Sequence, residues 1–92
     1  MQIKVMDELY DIQEDKDKCF NLEEFEYLFT NYFLPYDYIL GDYSYDKLRL
    51  KGFFDSNNKK ANNINNIKDV KKYIEKYCAF NCKYFILKKH RN

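Results

Sequence analysis

Tryptophan is absent from this chain, and only one proline, one histidine and two glycines occur among its 92 residues. With only Gly41 and Gly52, the chain has no glycine-rich loop of the kind that holds phosphates. The single histidine, His90, lies at the tail, which gives no support to histidine-based catalysis. A domain of this length also has little room for a deep pocket. The sequence therefore predicts a protein that is not an enzyme and has no small-molecule substrate.

Cysteine is also sparse, and its odd count argues against a disulfide framework. The three residues are Cys19, Cys78 and Cys82. A spacing of three residues between Cys78 and Cys82 is unusual for zinc, which commonly uses two and needs four ligands. Cys19 and His90 are the only obvious further donors, so a zinc site of three cysteines and one histidine is conceivable. The simpler explanation is that Cys78 and Cys82 are small apolar residues at the junction of a helix and a strand. We expect no metal and no cofactor.

Long hydrophobic runs are missing, which excludes a membrane-spanning helix and a membrane partner. The N-terminal segment becomes acidic at once, unlike a secretory signal peptide. We therefore expect a cytoplasmic protein. With 46% hydrophobic and 20% aromatic residues, the chain has the composition of a globular protein, and its length predicts a single domain over residues 1–92.

What is present is a strong charge asymmetry. Residues 1–46 carry 12 acidic and 3 basic groups, a net charge of −9, whereas residues 47–92 carry 3 acidic and 13 basic groups, a net charge of +10. Such a distribution can create a basic face for nucleic acid. Alternatively, the two halves neutralise each other when they pack together.

Lysine outnumbers arginine 14 to 2, and Lys, Asn, Ile, Tyr and Phe together supply 49 of the 92 residues. All five have A/T-rich codons, which is typical of a low-GC bacterium. The Asn-rich loop 55–66 is interpreted in the same way, with a polar interaction loop as the alternative.

The first half of the chain predicts a small hairpin followed by a helix. Two short apolar segments are separated by Met6-Asp7, which indicates a hairpin. Asn21 and Glu24 have the spacing of a capping box, and Phe20 and Phe25 have that of a hydrophobic staple. Helical spacing continues through a stripe of apolar residues: Leu22, Phe25, Leu28, Phe29, Tyr32 and Phe33.

The second half predicts further strands around one more helix. Pro35 ends the first helix near residues 31–33. We then expect strands at 36–40, ended or bulged by Gly41-Asp42, and at 47–54, a helix at 67–77 capped by Asn66, and a central strand at 84–87. The order is β-β-α-β-β-α-β, an α+β fold with a mainly antiparallel sheet and two packed helices.

Several segments form long and specific motifs: residues 20–25 ("FNLEEF"), 36–39, 41–42, 48–53 and 77–85. Together they resemble the YutD-like family of small proteins from low-GC Gram-positive bacteria. Tyr43 departs from the family pattern, which usually has tryptophan there. The resemblance implies an α+β fold and does not imply a particular function.

The strand at 47–54 is the leading candidate site. Its period of two places Lys47, Arg49, Lys51 and Phe53 on one face, where three cations could track phosphates and the ring could stack on a base. The same pattern also suits the solvent-facing side of an antiparallel sheet. Arginine is scarce here, so Arg49 indicates either RNA contact or a fixed ion pair with a nearby aspartate, Asp42 or Asp46.

Two functions follow from these patterns. The first is a non-catalytic module that binds structured RNA, with the ribosome as one candidate, through Lys47, Arg49, Lys51 and Phe53. The alternative is an adaptor that presents a Tyr/Arg surface, with Tyr43 and Tyr45, to a protein partner. Three acids lie around Gly41: Asp37, Asp42 and Asp46. They could bind a metal or act in acid–base chemistry. The simpler interpretation is that they shape turns and balance nearby cations.

Overall fold

The computed structural model describes residues 1–78 and 81–91 of the chain. Their helices and strands, in chain order, are β1 (Gln2–Val5), β2 (Glu8–Asp15), α1 (Leu22–Leu28), β3 (Tyr38–Ser44), β4 (Lys47–Phe53), α2 (Val70–Tyr77) and β5 (Tyr84–Lys89). This is the predicted order, and the α+β class is confirmed.

The five strands form one antiparallel sheet in the order β1-β2-β5-β3-β4. The apolar run 84–87 lies in β5, between β2 and β3, so its predicted central position is confirmed. Phe85 and Leu87 are fully buried there, because a strand with neighbours on both sides contributes side chains to covered faces. β1 and β4 form the two edges of the sheet.

The two helices cover opposite faces of this sheet. Phe25 and Phe29 belong to the apolar cluster on one face, while Val70 belongs to the cluster on the other. The α1 cluster also contains Ile3, Val5, Tyr10, Ile39, Phe85 and Leu87, and the α2 cluster contains Tyr38, Leu40, Phe53 and Ile86. The interpretation of β4 as the solvent-facing side of an antiparallel sheet assumed that one face of the sheet is open to solvent. Both faces carry a helix, so neither is fully open.

The start of α1 is as the sequence predicts. The side chain of Asn21 accepts a hydrogen bond of 3.0 Å from the backbone N–H of Glu24, and the Phe20 and Phe25 ring centroids lie 5.7 Å apart. The helix ends at Leu28, however, before the predicted residues 31–33.

A separate 3₁₀ turn, Asn31–Phe33, explains the early end of α1. The hydroxyl of Thr30 accepts a hydrogen bond from the backbone N–H of Tyr32 and so caps this turn. The backbone of Thr30 itself is extended. The apolar periodicity runs across both turns, whereas the extended backbone between them breaks the helix.

β3 runs straight through Gly41 and Asp42, and the predicted end or bulge at these residues is wrong. Gly41 lies directly opposite Phe85 on β5, and a Cβ atom at Gly41 would lie 2.1 Å from Cζ of that ring. Glycine is needed here for the close approach of an aromatic ring within a regular strand.

The Asn-rich loop 55–66 has an ordered hydrogen-bond pattern. The side chains of Asp55, Asn58 and Asn62 each accept a bond of 2.9–3.1 Å from the backbone N–H two residues later, forming three Asx turns. Genome composition alone therefore does not account for these residues, because they satisfy the backbone of the loop.

Candidate interaction surfaces

Arg49, the centre of the predicted RNA-contact row, is paired within the protein. It lies directly opposite Asp42 in the β3–β4 register, and its Nε and Nη2 atoms donate bonds of 3.0 and 2.9 Å to Asp42 Oδ1. The Asp42 side chain is only 3% exposed, against 47% for Arg49. The alternative in which Arg49 pairs with Asp42 is therefore the one found, and this cation neutralises a buried carboxylate.

The same guanidinium joins the sheet to the end of α2. Arg49 Nη2 donates to the hydroxyl of Ser44 at 3.0 Å and to the backbone carbonyl of Tyr77 at 3.1 Å. The hydrogen bond to Asp42 raises the pKa of Arg49. These contacts give Arg49 a structural role at the point where β3, β4 and α2 meet.

Phe53 is buried, and its predicted role as a ring for base stacking is corrected. Only 1% of the residue is exposed, because α2 covers this end of β4. Its ring meets the ring of Tyr73 edge to face, with the centroids 5.6 Å apart. The period-two pattern placed Phe53 on the correct face but could not show that a helix lies on that face.

The two lysines of the row have different surroundings. Lys51 Nζ lies over the Phe53 and Tyr73 rings, 5.1 and 5.4 Å from their centroids, in cation–π geometry. Lys47 is exposed at the other end of β4, beside the hairpin turn. The predicted row thus consists of an exposed cation (Lys47), a paired cation (Arg49), a cation over aromatic rings (Lys51) and a buried ring (Phe53).

A basic and aromatic groove lies between β4 and α2 and is called the α2 groove here. It has a volume of about 520 Å³. Its lining residues are Lys51, Phe53, Asn63, Ile64, Asp69, Lys72, Tyr73, Lys76 and Tyr77. Tyr77 is 52% exposed, and its ring centroid lies 4.7 Å from that of Tyr73. The predicted combination of cations and an aromatic ring therefore occurs here with different residues.

The two tyrosines of the predicted protein-binding patch also differ. The Tyr43 hydroxyl donates a 3.0 Å hydrogen bond to Glu24 Oε1, and burial raises the pKa of Tyr43 to about 12. Tyr43 therefore joins β3 to the start of α1 and is not a free contact residue. Tyr45 is 92% exposed at the tip of the β3–β4 turn.

A second groove, called the α1 groove here, lies between α1 and the β3–β4 turn. It has a volume of about 610 Å³ and is lined by Asn21, Glu23, Glu24, Tyr27, Leu28, Asp46, Lys47 and Leu48. Tyr27 is 84% exposed and Leu28 is 37% exposed. Tyr45 directly precedes Asp46 at its rim. The groove therefore combines exposed apolar and aromatic groups with three acids and one base.

Tyr27 is the residue that sequence reasoning missed. It falls between the apolar positions of α1, so periodicity assigns it to the solvent side and gives it no role. The available signal was its type, since tyrosine is enriched at the energetic centres of protein interfaces. The structure brings Tyr27 to the same groove as Asp46 of the hairpin turn.

The cysteines are free thiols near the end of α2 and the start of α1. Cys78 and Cys82 line one cleft of about 220 Å³, and burial raises the pKa of Cys78 to about 12. Burial likewise raises the pKa of Cys19 to about 11. Metal binding requires thiolates, and no group of three potential ligands is close enough within the described part of the chain.

The acids around Gly41 do not form one site. Asp37 Oδ2 accepts bonds from the Asp55 N–H at 2.8 Å and the Asn58 side chain at 3.0 Å, and Asp37 also pairs with Arg91. Asp42, which lies five residues after Asp37, pairs with Arg49. Asp37 and Asp42 are each buried with separate partners, so neither offers a free carboxylate to a shared metal or substrate.

Within the described ranges, no helix is both long and apolar enough to cross a membrane. The family model described as "Putative antitoxin YutD-like" matches residues 4–88. "Putative antitoxin YutD" of Bacillus subtilis (strain 168) is 47% identical over 72 residues, which cover 78% of this chain and 79% of that protein. The solution NMR structure of protein yutD from B. subtilis matches with a TM-score of 0.82 and 38% identity, covering 100% of this chain and 84% of that one. This chain therefore belongs to the YutD-like family.

Proposed function

We propose that this chain is a non-catalytic module that binds a protein partner through the α1 groove. The observation that carries the proposal is the set of exposed aromatic and apolar side chains there. Tyr27 is 84% exposed and lines the groove with the partly exposed Leu28, and Tyr45, which is 92% exposed, directly precedes the lining residue Asp46. Tyrosine is enriched at the energetic centres of protein interfaces, because it buries a large rigid ring and offers one polar group.

The charges of the α1 groove favour a cationic partner surface. Glu23, Glu24 and Asp46 line the groove, and Lys47 is the one base among its lining residues in the described ranges. A carboxylate rim around an apolar centre is complementary to a surface with lysine or arginine around an apolar anchor. Such complementarity increases the association rate and makes it sensitive to salt.

The relatives' names agree with a protein partner. The B. subtilis protein is described as a putative antitoxin, and an antitoxin of the protein type acts by binding its toxin. We extend that role to this chain and propose that its partner is a toxin protein with a basic surface. The expected absence of catalysis is part of the same proposal, since binding alone is sufficient for this role.

The proposal places this binding in the cytoplasm. The three cysteines are free thiols, which is the state expected in a reducing compartment. Association with the ribosome, predicted from the sequence, stays a prediction.

The test is a capture experiment from the organism that encodes the chain, followed by binding measurements with the purified partner. We expect one protein to be retained after RNase treatment. Replacing Tyr27 by Ala and Tyr45 by Asn should weaken its binding at least tenfold, since each exposed ring is a candidate anchor. Asparagine suits position 45, whose φ of 55° lies in the left-handed region.

The matched control is Tyr77→Ala, which removes an exposed tyrosine from the opposite face of the sheet. This variant should bind the partner as the unchanged chain does. If Tyr27→Ala/Tyr45→Asn binds the partner with unchanged affinity, or if no protein is retained after RNase treatment, the proposal is wrong.

A further inference from the structure

We propose that the α2 groove is a second binding site, that its ligand is single-stranded RNA, and that this site works independently of the α1 groove. Lys51, Lys72 and Lys76 line it, and Asp69 is the one acid among its lining residues in the described part of the chain. Lysine side chains around an open groove follow the phosphates of a flexible strand.

Two lysines of the α2 groove lie over aromatic rings and not beside carboxylates in the described part of the chain: Lys51 lies over Phe53 and Tyr73, and Lys76 Nζ is 5.3 Å from the centroid of the Tyr77 ring. None of the ion pairs in the described ranges involves Lys51, Lys72 or Lys76. Lys71, on the same helix, shows the contrast, because its Nζ atom is 2.7 Å from both carboxylate oxygens of Glu14. Lys72 and Lys76 therefore retain charges that can neutralise phosphates and release counterions.

A column of aromatic rings supplies the stacking surface that Phe53 cannot offer. Buried Phe53 supports Tyr73 edge to face, and Tyr73 in turn lies against Tyr77 with an interplanar angle of 37°. Since Tyr77 is 52% exposed at the outer end of this column, its ring can take an unpaired base. A ring fixed by its neighbours loses little side-chain entropy when a base stacks on it.

Two acceptors in the groove favour RNA over DNA. The Asp69 carboxylate and the Asn63 side-chain amide both line it. A carboxylate accepts hydrogen bonds only, and the 2′-hydroxyl is the donor that distinguishes RNA from DNA at such a site. Without such a hydrogen bond, the negative charge of Asp69 would only repel the phosphates of a nucleic acid.

The acidic helix does not screen this site. α1, with Glu23, Glu24 and Glu26, packs on the other face of the sheet from α2. The charge asymmetry of the sequence is thus partly kept in the fold, with acids of α1 on one face of the sheet and lysines of α2 on the other. RNA approaching the α2 groove meets lysines, whereas the acids of α1 lie beyond the sheet.

The experiment is a fluorescence anisotropy titration with a labelled single-stranded RNA of about 12 nucleotides. Three phosphate contacts predict that log K falls with log salt concentration with a slope of about −2. Lys72→Gln/Lys76→Gln should bind at least tenfold more weakly, with a shallower slope. Tyr77→Ala should bind about tenfold more weakly with the slope unchanged, because it removes stacking and leaves the charges.

Lys4→Gln/Lys18→Gln is the control, since it removes the same charge from two exposed lysines outside the groove. It should lose little affinity, and single-stranded DNA of the same sequence should bind more weakly than RNA. The proposal is overturned if this control loses as much affinity as the Lys72/Lys76 variant, if Tyr77→Ala binds normally, or if DNA binds as tightly as RNA. The Tyr27/Tyr45 variant should bind RNA normally, so this test is independent of the protein partner.

Discussion

At the scale of single residues, the two arginines serve buried carboxylates. Arg49 pairs with Asp42, and Arg91 pairs with Asp37. Both aspartates are almost fully buried, at 2% and 4% exposure for Asp42 and Asp37. Arg49 donates from both Nε and Nη2 to Asp42 Oδ1, and its Nη2 also reaches Ser44 and Tyr77. A rigid guanidinium with several donors suits such a site better than a lysine ammonium does.

We expect Arg49→Ala to lower the free energy of unfolding by about 3 kcal/mol, because it leaves the Asp42 carboxylate buried without its cation. Asp42→Asn in the same chain should recover part of this loss, since the neutral amide has a smaller desolvation cost. Urea unfolding of the two single variants and the double variant measures the coupling. Additive effects would show that Arg49 does not serve Asp42, and Arg49 would again be available to a ligand.

Tyr10 is a buried residue with an unused hydroxyl. It is 0% exposed, its hydroxyl has no hydrogen-bond partner in the described part of the chain, and burial raises the pKa of Tyr10 to about 12. Tyr10→Phe should therefore raise the free energy of unfolding by about 1 kcal/mol while keeping the ring contact with Phe29.

Tyr84→Phe is the comparison for this prediction. The Tyr84 hydroxyl donates to Glu14 and accepts from Lys71, both at 2.8 Å, so its removal should cost about 1 kcal/mol. Thermal unfolding of both variants gives the sign. Equal losses for Tyr10→Phe and Tyr84→Phe would contradict the account of Tyr10.

At the scale of elements, the two hairpin turns are formed without glycine. Met6 and Asp7 have φ of 49° and 65°, and Tyr45 and Asp46 have φ of 55° and 64°. Two positive φ values in a two-residue turn are typical of type I′, which prefers Asn-Gly. The sequence predicts where the β1–β2 turn lies, because Met6-Asp7 separates two apolar segments, but these residue types do not indicate a type I′ conformation.

Replacing Met6-Asp7 by Asn-Gly should raise the free energy of unfolding by about 1 kcal/mol, because both residues then adopt the left-handed region at lower cost. Chemical denaturation measures the change. The turn lies outside both grooves, so RNA and partner binding should not change. A loss of stability would mean that the β1–β2 turn is not type I′.

α2 is attached to the sheet by an ion pair that responds to pH. The hydrogen bond from Lys71 lowers the pKa of Glu14 below its ordinary 4.5. A lowered pKa in the folded state means that the stabilisation is complete above about pH 4.5 and is lost as the pH falls through the folded-state value.

Glu14→Gln should therefore reduce stability near neutral pH, and the difference from the unchanged chain should shrink below about pH 4.5. Unfolding measured between about pH 3 and pH 7 tests this. Glu26→Gln is the control, because Glu26 makes none of the ion pairs in the described ranges. A Glu14→Gln effect that is constant with pH would contradict the role of the pair.

The order of the elements could be predicted from the sequence because each has a local signal. Asn21 and Glu24 mark the start of α1, and the apolar run 84–87 marks a central strand. The length of β3 could not be predicted, because Gly41 normally weakens a strand and only the ring of Phe85 shows why it does not here.

The candidate sites were predicted less well, since they depend on which helix covers which face. Period two placed Lys51 and Phe53 correctly on one face of β4, but nothing local shows that α2 packs there and buries Phe53. Likewise, Tyr43 and Tyr45 look equivalent in the sequence. They differ because Glu24 on α1 lies within hydrogen-bond distance of the Tyr43 hydroxyl, whereas Tyr45 is exposed at the turn.

At the scale of the whole molecule, the sheet separates two surfaces of different character. The first half of the chain carries a net charge of −9 and the second half +10. The halves do pair at some points, such as Glu14 with Lys71 and Asp42 with Arg49. Between these pairs, the acidic α1 groove and the basic α2 groove stay open on opposite sides, which is the arrangement that the two proposed binding sites require.

The most direct measurement of the central claim is an NMR titration of the ¹⁵N-labelled 11.4 kDa chain with its purified protein partner. If the α1 groove holds the partner, the amide signals of residues 21–28 and 44–48 should shift first and most. Signals of residues 70–77 in α2 should stay nearly unchanged. Shifts centred on α2 with an unaffected α1 would contradict the assignment of the partner to the α1 groove.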